Sequence, residues 1–180
     1  MNRRFLALAL AGTLTLSLLT ACGGGNDTPA GGENTAPQES AQAGGENTAD
    51  TFVFTTADGK EVAVNADMAD VLAELGEEQS YFEAESCAFE GLDKTYTYPG
   101  FVITTRPDGE KDYVNSIRLT DDTVTTGEGV YIGSTEADVT TAYGESTSDT
   151  EGMLSYTAGD VALNFILEDG VVTSIEYLPA

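Results

Sequence analysis

Apolar residues fall along this chain in three regimes, and the elements it can build follow from them. A nearly continuous apolar run covers Phe5 to Leu19. Residues 23 to 50 then hold no aromatic and no branched aliphatic side chain. From Thr51 to Ala180 apolar positions return, alternating in some stretches and spaced at three and four in others. Only this last region can bury a core, and its 130 residues are enough for one.

Within it, Phe52-Val53-Phe54 and Val62-Ala63-Val64 flank Asp58-Gly59, which predicts a hairpin. Met68, Val71, Leu72 and Leu75 fall on one stripe of an amphipathic helix. Asn65 is placed to cap its start, and Gly76 to end it in the left-handed conformation. Glu78 to Lys94 reads as a long connection. Three strands follow: one through Tyr96 and Tyr98, one with Phe101, Ile103 and Thr105 on a single face, and one from Val114 to Thr120. Pro99-Gly100 and Arg106-Pro107-Asp108-Gly109 are the turns between them. The pattern then restarts. Residues 135 to 143 predict a second helix with Thr135 and Asp138 at capping-box spacing and Gly144 at its end. Strands around Leu154 and Tyr156, Val161 to Leu167 and Val171 to Leu178 complete the chain, with Glu168-Asp169-Gly170 turning the last hairpin.

The restart has the form of a repeat. Residues 69 to 77 match residues 137 to 145 at five of nine positions, and each predicted helix precedes three predicted strands. The segment Gly133-Ser134-Thr135 with Asp138-Val139 and Tyr143-Gly144, leading into an antiparallel meander, resembles the helix–turn–sheet unit of small SmpA/OmlA-type lipoproteins. Two such units in tandem resemble the β-lactamase inhibitor protein family, although the disulfides of that family are missing. The resemblance implies an α+β fold of two tandem helix-plus-antiparallel-meander units, residues 51–122 and 123–180, with helices on one face of a sheet. It assigns no binding residue.

The N-terminal regimes concern location. Arg3 and Arg4 precede an apolar run about as long as a signal-peptide core and shorter than the ~20 residues of a membrane-spanning helix. Leu19-Thr20-Ala21-Cys22 ends it and resembles the bacterial lipobox, in which the cysteine thiol receives a diacylglyceryl group and becomes the new N-terminus. Two acyl chains suffice for stable anchoring. Residues 1–21 are therefore expected to be a lipoprotein signal peptide, with Cys22 the lipidated residue. Residues 22–50, in which Gly-Gly-Glu-Asn-Thr-Ala occurs twice, are expected to form a disordered tether. At ~5–6 Å times the square root of its length, such a tether spans roughly 30 Å. The chain as a whole is also similar to uncharacterised surface lipoproteins of single-membrane bacteria. The expected location is the outer, extracytoplasmic face of the cell membrane, held there by the lipid.

Charge narrows the partners. Cleavage before Cys22 removes Arg3 and Arg4 and no acid, leaving five basic residues against 31 acidic ones, a net charge of −26. That charge repels phosphate backbones and excludes nucleic acid as a partner class. With Cys22 given to the lipid, Cys87 has no intrachain partner and is expected as a small buried hydrophobe. The chain has no histidine, which removes serine-histidine, cysteine-histidine and histidine-zinc chemistry. No Ser-x-x-Lys and no phosphate-cradling glycine loop occurs. Acidic turns at Asp121-Asp122 with Glu128, and at Asp108 and Glu110 with Asp112, could offer oxygen ligands but lack the alternation of a calcium loop. No catalytic residue, metal ligand or cofactor is assigned.

What remains is a wealth of aromatic residues between Tyr81 and Tyr113. Alternation sends Tyr96 and Tyr98 to one face, where either core packing or a rigid amphipathic contact surface would suit them. The expectation is a non-catalytic binding module for a protein or surface ligand, with Tyr96, Tyr98 and Tyr113 on the sheet face opposite the helices. An enzyme acting on wall or glycan through a carboxylate pair, or a structural envelope component, are the alternatives. The anchoring itself has a direct check: Cys22→Ala should move the protein from the membrane fraction to the soluble one. Mass spectrometry finding an unmodified Cys22 on the mature chain would overturn it.

Overall fold

The computed structural model describes residues 50–180; the expected signal peptide, Cys22 and the expected tether up to residue 49 lie outside the described residues. Two short strands, β1 (Phe54–Thr55) and β2 (Glu61–Val62), form the hairpin around Asp58-Gly59. Helix α1 (Met68–Leu75) leads to β3 (Ser80–Glu85), β4 (Leu92–Tyr98), β5 (Phe101–Asp108) and β6 (Lys111–Leu119). Helix α2 (Glu136–Tyr143) leads to β7 (Met153–Ala158), β8 (Val161–Glu168) and β9 (Val171–Pro179). The larger strands join in one antiparallel sheet in the order β3-β4-β5-β6-β9-β8-β7.

Strand alternation decides which face is buried. Register carries one row of side chains across Tyr96, Ile103, Ile117, Tyr177, Leu163 and Tyr156. A second row runs across Tyr98, Phe101, Leu119, Ile175, Phe165 and Leu154. Almost all of these are buried, and they form the floor of the core. Its roof is α1, through Met68 and Val71, α2, through Val139 and Tyr143, and the β1–β2 hairpin. Phe54 reaches both Phe101 (4.8 Å between ring centroids) and Tyr177 (6.0 Å), and Phe52 meets Tyr143 at 5.9 Å. The opposite face carries Thr97, Val102, Arg118, Glu176, Asn164 and Ser155 in register. It is mostly polar and, apart from the buried Val102, open to solvent to varying degrees.

The expected α+β fold of two tandem helix-plus-meander units is overturned by this sheet. The chain is mostly antiparallel β, with two eight-residue helices among the described residues, and its long strands belong to one seven-stranded sheet. Strands β6 and β9 pair directly, through Ile117↔Tyr177, Arg118↔Glu176 and Leu119↔Ile175. The hairpin before α1 packs against both α2 and β9, so no boundary falls at residues 122 and 123. The physical reason is exposure: a three- or four-stranded meander under one short helix would leave its inner face wet, and pairing at the seam buries both together.

The seam is short because each helix is led in by a segment that takes up the rest of the strand edge. Asn65 N–H donates to Val114 C=O, and Val114 N–H to Ala66 C=O, both at 2.9 Å. Likewise Gly133 N–H donates to Val172 C=O, and Val172 N–H to Ser134 C=O, again at 2.9 Å. These pairings fix where each helix starts over the sheet. At the other end a tyrosine hydroxyl holds the residue after each helix: Tyr98 to Gly76 C=O at 3.2 Å and Tyr156 to Gly144 C=O at 3.1 Å.

Several local expectations change. Asp67, not Asn65, caps α1, accepting from Ala69 N–H at 3.1 Å, while Asn65 itself stands at φ +67°. Gly76 and Gly144 have φ near +83° and +82° with extended ψ, so they end the helices outside the left-handed helical region. Arg106 to Asp108 continue β5, and the turn falls after them. The supposed connection after α1 contains β3, a strand whose every residue is exposed. A strand that buries nothing has no apolar alternation from which to be recognised. Gly100 does turn β4 into β5 as expected, at φ +82°, where a Cβ would sit 2.7 Å from Thr123 Oγ1.

The capping box of α2 is present: the Asp138 carboxylate receives the Thr135 N–H at 2.8 Å and its hydroxyl at 2.7 Å, and Thr135 Oγ1 receives Asp138 N–H at 3.3 Å. Those bonds, the backbone one foremost, hold the Asp138 carboxyl below its ordinary range. A depressed folded-state value contributes stability above the unfolded value and loses it as pH falls through the folded one. Asp138→Ala should therefore lower the urea midpoint at pH 7, and its gap from wild type should close below about pH 4. A gap that stays constant with pH would show that the carboxylate is not the cause.

Candidate partner-binding surface

Tyr96 and Tyr98 are in the core, which corrects their expected place on an exposed face. They are 7% and 5% accessible, on the helix side of β4. Tyr98 stacks on Phe101 with centroids 5.2 Å apart and spends its hydroxyl on Gly76 C=O. Burial pushes both phenols above their usual titration range. Tyr113 lies elsewhere. A bulge between Thr104 and Thr105 resets the register, so Thr105 and Val114 point into the core and the neighbouring pair, Arg106 and Tyr113, faces outward. Tyr113 is half-buried there, with the Arg106 guanidinium 5.5 Å from its ring centre. Arg106 also donates to Asn65 Oδ1 at 3.2 Å, and Asn65 donates to Asp160 Oδ2 at 3.2 Å. The three tyrosines thus do not form one surface.

Exposed aromatic side chains are concentrated on the β3–β4 hairpin, with Tyr131 exposed elsewhere. Among the described residues, four of the seven exposed large hydrophobic ones fall between 81 and 92: Tyr81, Phe82 (64% accessible), Phe89 and Leu92. Tyr81 lies opposite Tyr96, centroids 5.0 Å apart, and its hydroxyl donates to Glu83, which raises the phenol's pKa further. Phe82, one residue along, points to the other side of the strand. The tip is held by Ser86, whose Oγ accepts Ala88 N–H and Phe89 N–H while its N–H donates to Gly91 C=O at 3.0 Å. Cys87 sits on this tip and is exposed, contrary to its expected burial. The hairpin base is fastened by Lys94, whose ammonium pairs with Asp112 at 2.6 Å and is held above its usual pKa by that contact.

The two edges of the sheet are finished differently. Along β7, Thr147 N–H donates to Ser155 C=O at 3.0 Å and Ser155 N–H to Ser146 Oγ at 2.9 Å, so the segment 146–150 covers the first half of that edge. Among the described residues β4 is the only strand neighbour of β3, and the side chains of β3 are all exposed. An uncovered edge is a template for pairing with another chain.

Three acids of the acidic turns are engaged within the protein. Asp121 accepts Thr123 N–H at 2.9 Å, Asp112 pairs with Lys94, and Glu128 accepts the Tyr143 hydroxyl. Asp67 pairs with Lys111 at 2.5 Å, the contact that does most to lower its pKa. No group of three or more acidic or cysteine side chains is arranged for a metal ion among the described residues. One groove of about 680 Å³ is open and lined by Glu136, Asp149, Glu151 and Asp169 beside Met153 and Leu167.

No family model matches the chain, and no curated protein does. Among solved structures it is similar to that of a DUF4309 family protein (YjgB) from Bacillus subtilis, with 15% identity, a TM-score of 0.45, and coverage of 71% of this chain and 88% of that one. A likeness of that size assigns neither activity nor ligand.

Exposure of Cys87 has a simple consequence. A maleimide reagent should modify it in the folded protein nearly as fast as in urea, because the thiol needs no unfolding to be reached. Protection by about tenfold or more would mean the tip is covered.

Proposed function

We propose that this chain is a lipoprotein anchored through Cys22 on the outer face of the cell membrane, and that its folded part is a non-catalytic binding module working through the β3–β4 hairpin. The observation that carries the binding half is the concentration of Tyr81, Phe82, Phe89 and Leu92 in one exposed hairpin of a strongly acidic chain. Aromatics at exposed sites supply contact area with little side-chain entropy to lose, and of these only Tyr81 has a ring contact with the core, on Tyr96. The fold rests on other rings, Tyr98, Phe101, Phe54, Tyr143 and Tyr177, all of them buried.

The anchoring half is supported by the lipobox-like Leu19 to Cys22 and by the apolar-poor stretch behind it. No described helix is long and apolar enough to cross a membrane. The reading without catalysis is supported by the carboxylates themselves, since Asp67, Asp112, Asp121 and Asp138 are committed to lysines, caps and turns.

The test is site-specific photo-crosslinking on intact cells, with a benzophenone side chain at position 82 and, as control, at position 157 on the far edge of the sheet. A discrete adduct is expected from position 82 and not from 157. Phe89→Ser should weaken it by roughly 2 kcal/mol of binding if the ring is central, while leaving the melting temperature nearly unchanged. Equal adducts from both positions would refute the hairpin as the surface. Turnover of a wall or glycan substrate, abolished by a single carboxylate change, would refute the non-catalytic reading.

A further inference from the structure

The hairpin has two kinds of surface, its aromatic side chains and its open backbone edge, and the sequence of β3 says what that edge accepts. On one side of the strand stand Tyr81, Glu83 and Glu85; on the other stand Ser80, Phe82 and Ala84. A strand laid along β3 would place alternate side chains over these two rows. Over the first, Glu83 and Glu85 call for cationic groups that can also pack on the Tyr81 ring. Over the second, Phe82 calls for an aliphatic group. Glu77, Glu78, Glu90 and Asp93 surround the strand with further negative charge, against Lys94, which is already paired with Asp112.

The same pattern rejects a second copy of this chain. Two β3 strands meeting edge to edge would set Glu83 and Glu85 against like charges, which opposes pairing. Acidic residues on an open edge are a common guard against self-association. Here they guard against a copy while leaving the edge available to a basic strand. The first half of the β7 edge is closed by 146–150 instead. Covering part of one edge and merely charging the other leaves β3 as the longest stretch of edge, among the described residues, with no backbone partner on its outer side.

Resting on the binding reading above, we propose that the outer edge of β3 takes an extended segment of a partner protein in which lysine or arginine alternates with apolar residues, adding an eighth strand. Recognition is then shared between main-chain hydrogen bonds and the two side-chain rows.

The experiment uses the full-length mature protein in a neutral detergent. The probe is an acetylated, amidated octapeptide of alternating Lys and Val, compared with two versions N-methylated on either the Lys or the Val amides. All three carry the same charge. Strand addition uses every second N–H of the added strand, so one methylated version should bind at least roughly tenfold weaker (about 1.4 kcal/mol) and the other should bind like the parent. The parent should also slow hydrogen exchange at amides of residues 80 to 85. Glu83→Lys with Glu85→Lys, both on an exposed strand, should reverse the preference toward a Glu–Val peptide. No binding of the parent peptide, or equal binding of all three peptides, overturns strand addition. Either result leaves the crosslink from position 82 to decide the binding module separately, since side-chain docking on Phe82 and Phe89 needs no free edge.

Discussion

The structure depends on the seam between β6 and β9. Three residue pairs join the halves of the sheet, and two of them, Ile117 with Tyr177 and Leu119 with Ile175, point into the core. Neither side has enough strand length to make the seam longer, because the approaches to α1 and α2 occupy the adjoining stretches of edge. That restriction places both helices on one face and brings the β1–β2 hairpin between them. A few central pairs therefore set the position of every element in the roof. Burying a side chain of this size is worth about 1.5–3 kcal/mol, so the seam concentrates much of the stability in little length.

Much of the element list was legible in the sequence, for reasons that also explain the failures. Strands with one wet and one dry face show alternation, and β5, β6, β8 and β9 are of this kind. The stripe of α1 and the capping box of α2 write their own spacing. β3 left no trace because it buries nothing. The assembly was less legible still. The matching segments at 69–77 and 137–145 are real local similarities, but the pairing of Ile117 with Tyr177 is a contact between strands far apart in the chain, and no local pattern encodes it. The tyrosines show the same limit: alternation put Tyr96 and Tyr98 on one face, and only the position of the helices says which face that is. Tyr113 was displaced to the other side by a bulge that one extra residue creates.

The acidic composition is likewise two things at once. Some carboxylates serve the fold locally, as caps and turn acceptors at Asp67, Asp121 and Asp138, and Asp67 and Asp112 pair with the nearby lysines. The rest set the field around the molecule and so select among partners by charge. At β3 the two uses separate cleanly. Glu83 and Glu85 serve no cap and no turn; Glu83 takes the Tyr81 hydroxyl, and both stand exposed on the strand, where their charge bears on any backbone that approaches.

The short β1–β2 hairpin has a mechanical consequence. A pull on the chain ahead of residue 50 passes Asp50 and Thr51, which lie against Gly159, and then reaches Phe52 and Phe54, the first buried side chains. Only two residue pairs, Phe54↔Val62 and Thr55↔Glu61, link β1 to its neighbour, so little backbone resists in shear. Resistance comes from two rings wedged among Phe101, Tyr143 and Tyr177. Under load these rings would be drawn out one after the other. The seven-stranded sheet lies behind them, so the hairpin acts as a mechanical fuse that yields first and uncovers the seam only afterward.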